Sequence, residues 1–271
     1  MKQQDFGISY VIEKWYKLLN FDKKYDDQFY EYLNTIPIPA DTSIATYPIS
    51  CTDGKRNLLS FLYMCDSLCN QYAEKGIPEE ILLDTLHDLV IWSEVWSELK
   101  GELWLGEIGW LSNHMSGILF KLGRLQFAIQ HFSEDFIEYG IKEGECNIGV
   151  HISAMGPLTQ DACVESFAKA NAFFVKFFPE IQYNYYTCHS WLLDDTLKEF
   201  LPENSNIIKF GDMFNKISFE KSDAILRYVF KWDSNRDNIS RLEPTSSFAK
   251  KVKDFVLDGT DFYEVFGIRP V

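Results

Sequence analysis

The sequence predicts an α+β protein in which a helical N-terminal domain, residues 1–120, precedes a mixed α/β domain, residues 121–271. Two observations predict this division. Apolar residues return every three or four positions through most of the first hundred residues, which is typical of amphipathic helices. After Lys121 the apolar residues alternate with polar ones, which is typical of half-buried strands.

Proline-containing segments divide the helical half. The segment "TIPIPADTSIATYPISCTDGK", residues 35–55, contains three prolines and predicts a loop between helices. In "KGIPEE", Pro78 favours the first turn of a further helix, which the apolar spacing extends from Glu79 to about Lys100.

The second half begins with two predicted strands, "GRLQFAIQHF" and "NIGVHIS", with a turn at "KEGE" between them. A Gly-Pro loop then leads into a helix that Thr159 is expected to cap and that stops before Pro179. The aromatic strand "QYNYYTCHSW" follows this helix. A helix that crosses between two neighbouring strands implies that those strands are parallel.

The remaining segments predict a short helix at "DDTLKEFL" and strands at "SNIIKF", "NKISF" and "ILRYVFKW". A last helix is expected from about Ser246 to Leu257.

Composition limits the functional classes. The chain is 46% apolar and 16% aromatic, which suffices for a packed core, and its net charge of −14 disfavours binding to nucleic acids or anionic membranes. The sequence lacks an apolar N-terminal core and any apolar run of about 18 residues, so we expect a cytoplasmic protein. The composition gives no information on the oligomeric state.

The six cysteines are scattered and form no C-x-x-C pair, which indicates free thiols. Cys65 and Cys69 share one helix face, but no nearby histidine or cysteine completes a tetrahedral set. We therefore expect no metal site.

Polar side chains end both strands of the predicted parallel pair. His151 and Ser153 end the first strand, and Cys188, His189 and Ser190 end the second. Ligands of open α/β sheets bind at the carboxyl ends of parallel strands. The loop "SAMGPLT" also leads into a helix N-terminus, which suits an anion such as a diphosphate, although this signal alone is weak.

Strand alternation separates Cys188 from His189, because adjacent residues of a strand face opposite sides of the sheet. This disfavours a Cys-His nucleophile pair. A purely structural role remains an open alternative for both histidines, and burial as a small apolar side chain is the ordinary role of a free cysteine.

Four segments resemble the bacterial two-domain N-acyltransferases, which have a helical N-terminal domain and a C-terminal domain like the GNAT acyltransferases. They are "ILFKLGRLQFAI", "VHISAMGPLTQDAC", "CHSWLLDDTLKEFLPENSNIIKF" and "LEPTSSF", in that order. The resemblance covers most of the second half of the chain. In the first half it is limited to helical character and "IPEEILLDTLHDLVIW".

The resemblance implies a GNAT-like mixed-sheet domain that binds acyl-coenzyme A, or the pantetheine arm of an acyl carrier protein, where two parallel strands separate. It places these strands at residues 147–153 and 182–189 and the diphosphate-binding loop at residues 153–159. It also implies acyl transfer to a primary amine, with amino sugars or nucleotide-linked amino sugars as acceptors. The donor-binding residues that it implies are Val150, Ile152, Ser153, Met155, Gly156, Leu158 and Thr159.

For this chemistry, His189 and then His151 are the candidate general bases, because imidazole titrates near neutral pH. Cys188 is a candidate only for a covalent route, and Ser190 and Trp191 are candidate acceptor contacts. Two alternatives stay open, a non-catalytic protein that binds acyl-CoA or a partner, and a Cys-dependent thioester hydrolase.

Overall fold

The computed structural model describes residues 3–271. The chain forms two compact units, the first running to Leu122 and including Gln126–Ala128, the second comprising Gly123–Leu125 and Ile129–Val271. The first unit is mainly helical, as predicted. Its helices are α1 (Gln3–Leu18), α2 (Asp26–Thr35), α3 (Gly54–Lys75), α4 (Glu79–Leu86), α5 (Asp88–Lys100) and α6 (Ile108–Met115).

Local signals explain where these helices begin and end. Asp53 caps α3 by accepting hydrogen bonds from the backbone N–H groups of Lys55 and Arg56. Gly76 ends the same helix in the left-handed conformation, at a φ of 68°. The proline-rich segment between α2 and α3 forms turns, which confirms the predicted loop.

The predicted helix from Glu79 to Lys100 is wrong at one point, because the helix breaks at His87 into α4 and α5. The carbonyl of His87 accepts from the N–H of Val90, three residues on, at 3.0 Å, so the chain tightens there. The next residue, Asp88, has a buried carboxylate whose Oδ2 accepts from Gln126 Nε2 at 2.8 Å and lies 3.0 Å from His114 Nε2. The break coincides with this buried polar cluster.

The strands form one mixed sheet, which confirms the expected fold class. Their order in the sheet is β1-β2-β3-β4-β6-β5. β3 and β4 are parallel, as predicted, and β6 is antiparallel to both β4 and β5. The strands are β1 (Leu119–Leu122), β2 (Leu125–His131), β3 (Cys146–Ile152), β4 (Tyr185–Ser190), β5 (Asn215–Lys221) and β6 (Tyr263–Pro270).

The crossover between β3 and β4 is α7 (Gln160–Phe177), capped as predicted by Thr159, whose hydroxyl accepts from the N–H of Ala162 at 3.4 Å. It ends before Pro179, also as predicted. The last helix lies close to its predicted position, at Ser247–Leu257. The predicted short helix in "DDTLKEFL" is a 3₁₀ helix, Asp195–Glu199.

Two predicted strands are wrong. "SNIIKF" belongs to helix α8 (Asn206–Gly211), which Ser205 caps by accepting from the N–H of Ile208 at 3.2 Å. "ILRYVFKW" begins in helix α9 (Ala224–Val229). Its adjacent residues Ile225 and Leu226 are both buried in one apolar cluster, which a strand would not allow because neighbouring side chains would face opposite sides.

The sequence interpretation missed two strands, β1 and β6. β6 lies between β4 and β5, so it forms the centre of this half of the sheet. At Gly267 a Cβ atom would lie 2.7 Å from Leu193 Cδ2 and 2.9 Å from Phe214 Cβ. The strand therefore needs a glycine there to let these side chains pack against its backbone.

Candidate functional site

A pocket of about 530 Å³ opens on the sheet of the second unit. Side chains from β2, β3, β4, β5 and β6 line it. Those that matter for its chemistry are Gln130, Asn147, His151, Thr187, His189 and Glu220. The structure thus brings His151 and His189, which are 38 positions apart in the sequence, to one pocket.

The pocket lies where the two parallel strands part. The ladder between β3 and β4 joins Ile148 to Tyr186 and Gly149 to Thr187. Both strands continue past these pairs, but among the described residues no later pair joins them. The facing edges of β3 and β4 are therefore not joined to each other beyond these pairs, at the position of the pocket.

The wall formed by β3 depends on a glycine. A Cβ atom at Gly149 would lie 2.3 Å from Oε1 of Gln130, so the missing side chain is what lets the Gln130 carboxamide lie against the strand. From there, Nε2 of Gln130 lies 3.3 Å from Nε2 of His151. Gln130 thus contacts this partly buried imidazole and helps to orient it.

The wall formed by β4 presents His189, which is exposed in the pocket. Its ring stands edge-on to Phe266 of β6, with centroids 6.3 Å apart. On the same face, the hydroxyl of Thr187 donates to Oδ1 of Asn147 at 2.8 Å. This bond links the side chains of β3 and β4 beside the point where the strands part.

Cys188 faces the other side of the sheet, as alternation predicts. It is 2% exposed and does not line the pocket. Burial raises the pKa of its thiol well above the ordinary value, so the reactive thiolate is scarce at neutral pH. The proposed covalent role of Cys188 therefore has no geometric support.

The expected diphosphate loop connects β3 to α7. Gly156 adopts a left-handed conformation there, at a φ of 73°. The Ser153 hydroxyl is buried without a hydrogen-bond partner in the described residues. Of the other expected donor contacts, Val150 and Leu158 are buried, Ile152 is partly buried and Met155 is exposed.

The two residues expected to contact the acceptor do not line the pocket. Ser190 caps the short 3₁₀ helix Trp191–Leu193 by accepting from the N–H of Leu192 at 3.2 Å. Trp191 stacks on Tyr228 and Phe248, with ring centroids 6.2 and 6.3 Å apart. In this structure both residues have structural contacts instead.

Several residues of the site escaped the sequence interpretation. Gln130 was visible only as one polar position of an alternating strand. Arg124, in the turn between β1 and β2, contacts the carbonyls of Ser153 and Pro157 at 3.0 and 3.1 Å. A Gly-Arg pair at a hairpin turn is the only sequence signal for it, and such pairs are common in turns.

Two further features bear on function. No group of three or more His, Cys, Asp or Glu side chains in residues 3–271 is arranged to hold a metal ion. In the same part of the chain, no helix has both the length and the apolar character that crossing a membrane requires.

Comparison with known proteins assigns both parts of the chain. Residues 25–117 match the N-acyltransferase N-terminal domain, and residues 119–269 match the GNAT-like C-terminal domain. None of the curated proteins matches the chain significantly.

Solved structures share the fold. An acyltransferase in complex with decanoyl-CoA and teicoplanin is 27% identical, with a TM-score of 0.70, over 79% of this chain and 66% of that one. An acyltransferase in complex with decanoyl-CoA is 25% identical, with a TM-score of 0.70, over 98% and 79%. An acyltransferase mutant in complex with octanoyl-CoA is 22% identical, with a TM-score of 0.80, over 96% and 87%, a likeness of fold alone.

The chain therefore spans about two thirds of the length of the first of these structures. The two domain matches agree in order and extent with the helical half and the sheet, and they confirm the resemblance found in the sequence. The chain belongs to the N-acyltransferase family in which an N-acyltransferase N-terminal domain precedes a GNAT-like C-terminal domain.

Proposed function

We propose that this protein transfers an acyl group from acyl-CoA directly to an amine, with His189 as the general base. The observation that carries the proposal is the pocket in which His151 and His189 meet, at the point where parallel strands β3 and β4 part. The acyl-CoA molecules held by related acyltransferases support the choice of donor.

The chemistry needs little beyond positioning and proton transfer, because a thioester is already activated. The amine nitrogen forms a bond to the acyl carbon, the carbon–sulfur bond breaks, and the proton of the amine passes through the imidazole to the leaving thiolate. A general base typically contributes about 10²- to 10⁴-fold, and positioning contributes more. We propose that backbone N–H groups near the point where β3 and β4 part stabilise the developing oxyanion.

His189 suits the role of base because it is the more accessible histidine. It is exposed in the pocket, whereas His151 is partly buried and already in contact with Gln130. An imidazole can both accept the amine proton and release it to the thiolate near neutral pH.

The charges of the side chains that line the pocket indicate which acceptor molecules it favours. Its lining includes the carboxylates of Glu134 and Glu220 and no Lys or Arg side chain. Glu220 also lies directly opposite Glu264 in the β5–β6 pair. Such surroundings favour an acceptor without negative charge, such as an amino sugar without phosphate, and disfavour a nucleotide-linked one.

The net charge of the whole chain favours one of the two possible acyl donors. With a net charge of −14, the protein would repel an acidic carrier protein, whereas a small thioester can reach a local site. Free acyl-CoA is therefore the donor that we propose.

The proposal is tested by measuring the release of CoA thiol from decanoyl-CoA, alone and with a panel of amino sugars. We expect release that depends on the amine, and we expect His189→Ala to lower kcat/KM at least tenfold without unfolding the protein. His87→Ala, at the break between α4 and α5, is the control for loss of a histidine.

Three outcomes would count against this scheme. Binding of decanoyl-CoA without thiol release for any amine would indicate a non-catalytic binding protein. Unchanged kinetics in His189→Ala would remove this residue from the mechanism and leave acyl transfer itself intact. Thiol release without an amine would indicate a hydrolase, although buried Cys188 does not favour that reaction.

A further inference from the structure

The turn between β1 and β2 fixes Arg124 beside the loop that follows β3. The hydroxyl of Ser166, on α7, accepts from the backbone N–H of Arg124 at 2.8 Å. Gly123 makes this approach possible, because it has a φ of 81° and a Cβ atom there would lie 2.9 Å from the Ser166 hydroxyl. The backbone of Arg124 is therefore held on the helix that the loop leads into.

The side chain of Arg124 holds the loop from one side. Its Nη1 donates to the carbonyl of Ser153 at 3.0 Å, and its Nε donates to the carbonyl of Pro157 at 3.1 Å. A planar guanidinium can bridge two acceptors in this way, whereas a lysine ammonium on its flexible stem cannot reproduce the geometry. The bridge encloses the three residues at the tip of the loop, 154–156.

The donors of the loop are left without partners. Within the described residues, the backbone N–H groups of Ala154, Met155 and Gly156 have no hydrogen-bond acceptor. The residue Ser153 is only 5% exposed, and its buried hydroxyl also has no hydrogen-bond partner among the described residues. Leaving a buried hydroxyl unsatisfied is costly, so a partner from outside the chain is expected there.

The loop region also lacks a cation of its own. Residues 146–168 contain neither Lys nor Arg, and the whole chain carries a net charge of −14. A diphosphate bound by backbone donors alone would meet an unfavourable long-range potential. Arg124 is half-buried, and although burial lowers its pKa, a guanidinium stays protonated at neutral pH.

We propose that Arg124 is a positioning residue of the acyl-donor site, which bridges the loop carbonyls and supplies the positive charge behind the loop N–H groups that bind the diphosphate of CoA. The inference rests on the proposed function, since it assumes that CoA is the donor. It adds a residue that lies outside the loop itself, 29 positions before Ser153 in the sequence.

The test compares two ligands in binding experiments that need no turnover. CoA carries the diphosphate, and pantetheine carries the same thiol arm without it. Affinity for CoA is measured by calorimetry, and the weaker binding of pantetheine by ligand-observed NMR. The variants are Arg124→Gln, which removes the charge, and Arg124→Lys, which keeps the charge but not the bridge. Arg227→Gln removes an exposed charge on α9 and is the matched control.

We expect Arg124→Gln to weaken CoA binding at least tenfold and to change pantetheine binding less than twofold. Arg124→Lys should lie between Arg124→Gln and the unmodified protein, and Arg227→Gln should match the unmodified protein. Equal weakening of both ligands would mean that Arg124 only supports the fold, and unchanged CoA affinity would mean that it has no part in the site. Either result overturns the inference. Failure of the unmodified protein to bind CoA would instead overturn the proposed function.

Discussion

The contact between Gly149 and Gln130 allows the role of the β3 wall to be tested with one methyl group. In Gly149→Ala the new Cβ atom would lie 2.3 Å from Oε1, 2.6 Å from Cδ and 2.9 Å from Nε2 of Gln130. Real Cβ atoms do not approach other atoms this closely, so the carboxamide has to move. Its movement would break the 3.3 Å contact with His151.

The loss of stability in Gly149→Ala depends on how easily the neighbouring atoms can move. Overpacking at a well-packed position typically costs about 1 to 3 kcal/mol. The atoms that the new methyl group would contact are the end of a flexible side chain, so we expect the decrease in the free energy of unfolding to lie in the lower half of that range. We expect kcat/KM to fall about tenfold, because the displaced Gln130 no longer orients His151 and encroaches on the pocket.

A double-mutant cycle separates this steric cause from a general loss of stability. Urea unfolding gives the free energy of unfolding, and thiol release gives kcat/KM, for Gly149→Ala, Gln130→Ala and the double variant. The double variant has room for the methyl group, so it should recover most of the stability lost in Gly149→Ala. Contacting residues typically show coupling of about 0.5 to 3 kcal/mol. Additive losses would refute the steric reasoning.

Two further predictions concern buried groups. Burial acts to raise the pKa of Asp88, but the hydrogen bond from His114 and the other donors outweighs it, so the pKa is lowered overall. The ionised Asp88 carboxylate therefore stabilises the folded protein fully above the ordinary carboxyl pKa of about 3.9, and this stabilisation is lost as the pH falls through the lower pKa of the folded state. Urea unfolding at pH 7 should show that Asp88→Ala lowers the free energy of unfolding by about 3 to 5 kcal/mol relative to the unmodified protein. Cys188→Ala should retain its kcat/KM within about threefold, and intact mass after mixing with decanoyl-CoA should show no acyl adduct on the unmodified protein; an adduct at Cys188 would revive the covalent route.

Much of the fold could be predicted because the relevant signals are local. Thr159 and Pro179 delimit α7 within one stretch of sequence, and strand alternation located β2 and β3. The failures lie where local pattern is ambiguous, as in "SNIIKF", a short apolar run that fits a strand or a helix equally well. β6 escaped because a strand that pairs with neighbours on both sides is specified by those distant partners.

In the site, too, the features that depend on adjacent residues could be predicted from the sequence, and the contacts between distant residues could not. Alternation along one strand correctly separated Cys188 from His189, since it depends only on adjacent residues. The contacts of Arg124 with the loop and of Gln130 with His151 join residues 21 or more positions apart. Such contacts depend on strand order and register, which the sequence pattern does not specify.

The surroundings of the two histidines also divide their roles in the proposed mechanism. Gln130 contacts His151 Nε2 through its amide nitrogen, which is a donor, so in this arrangement His151 Nε2 accepts. Its lone pair is then already engaged by this contact. His189 lies in the same pocket beside the ring of Phe266 and is exposed. Of the two imidazoles, His189 is therefore the one whose basic nitrogen an acceptor can reach, while His151, oriented by Gln130, is suited to shaping the opposite wall.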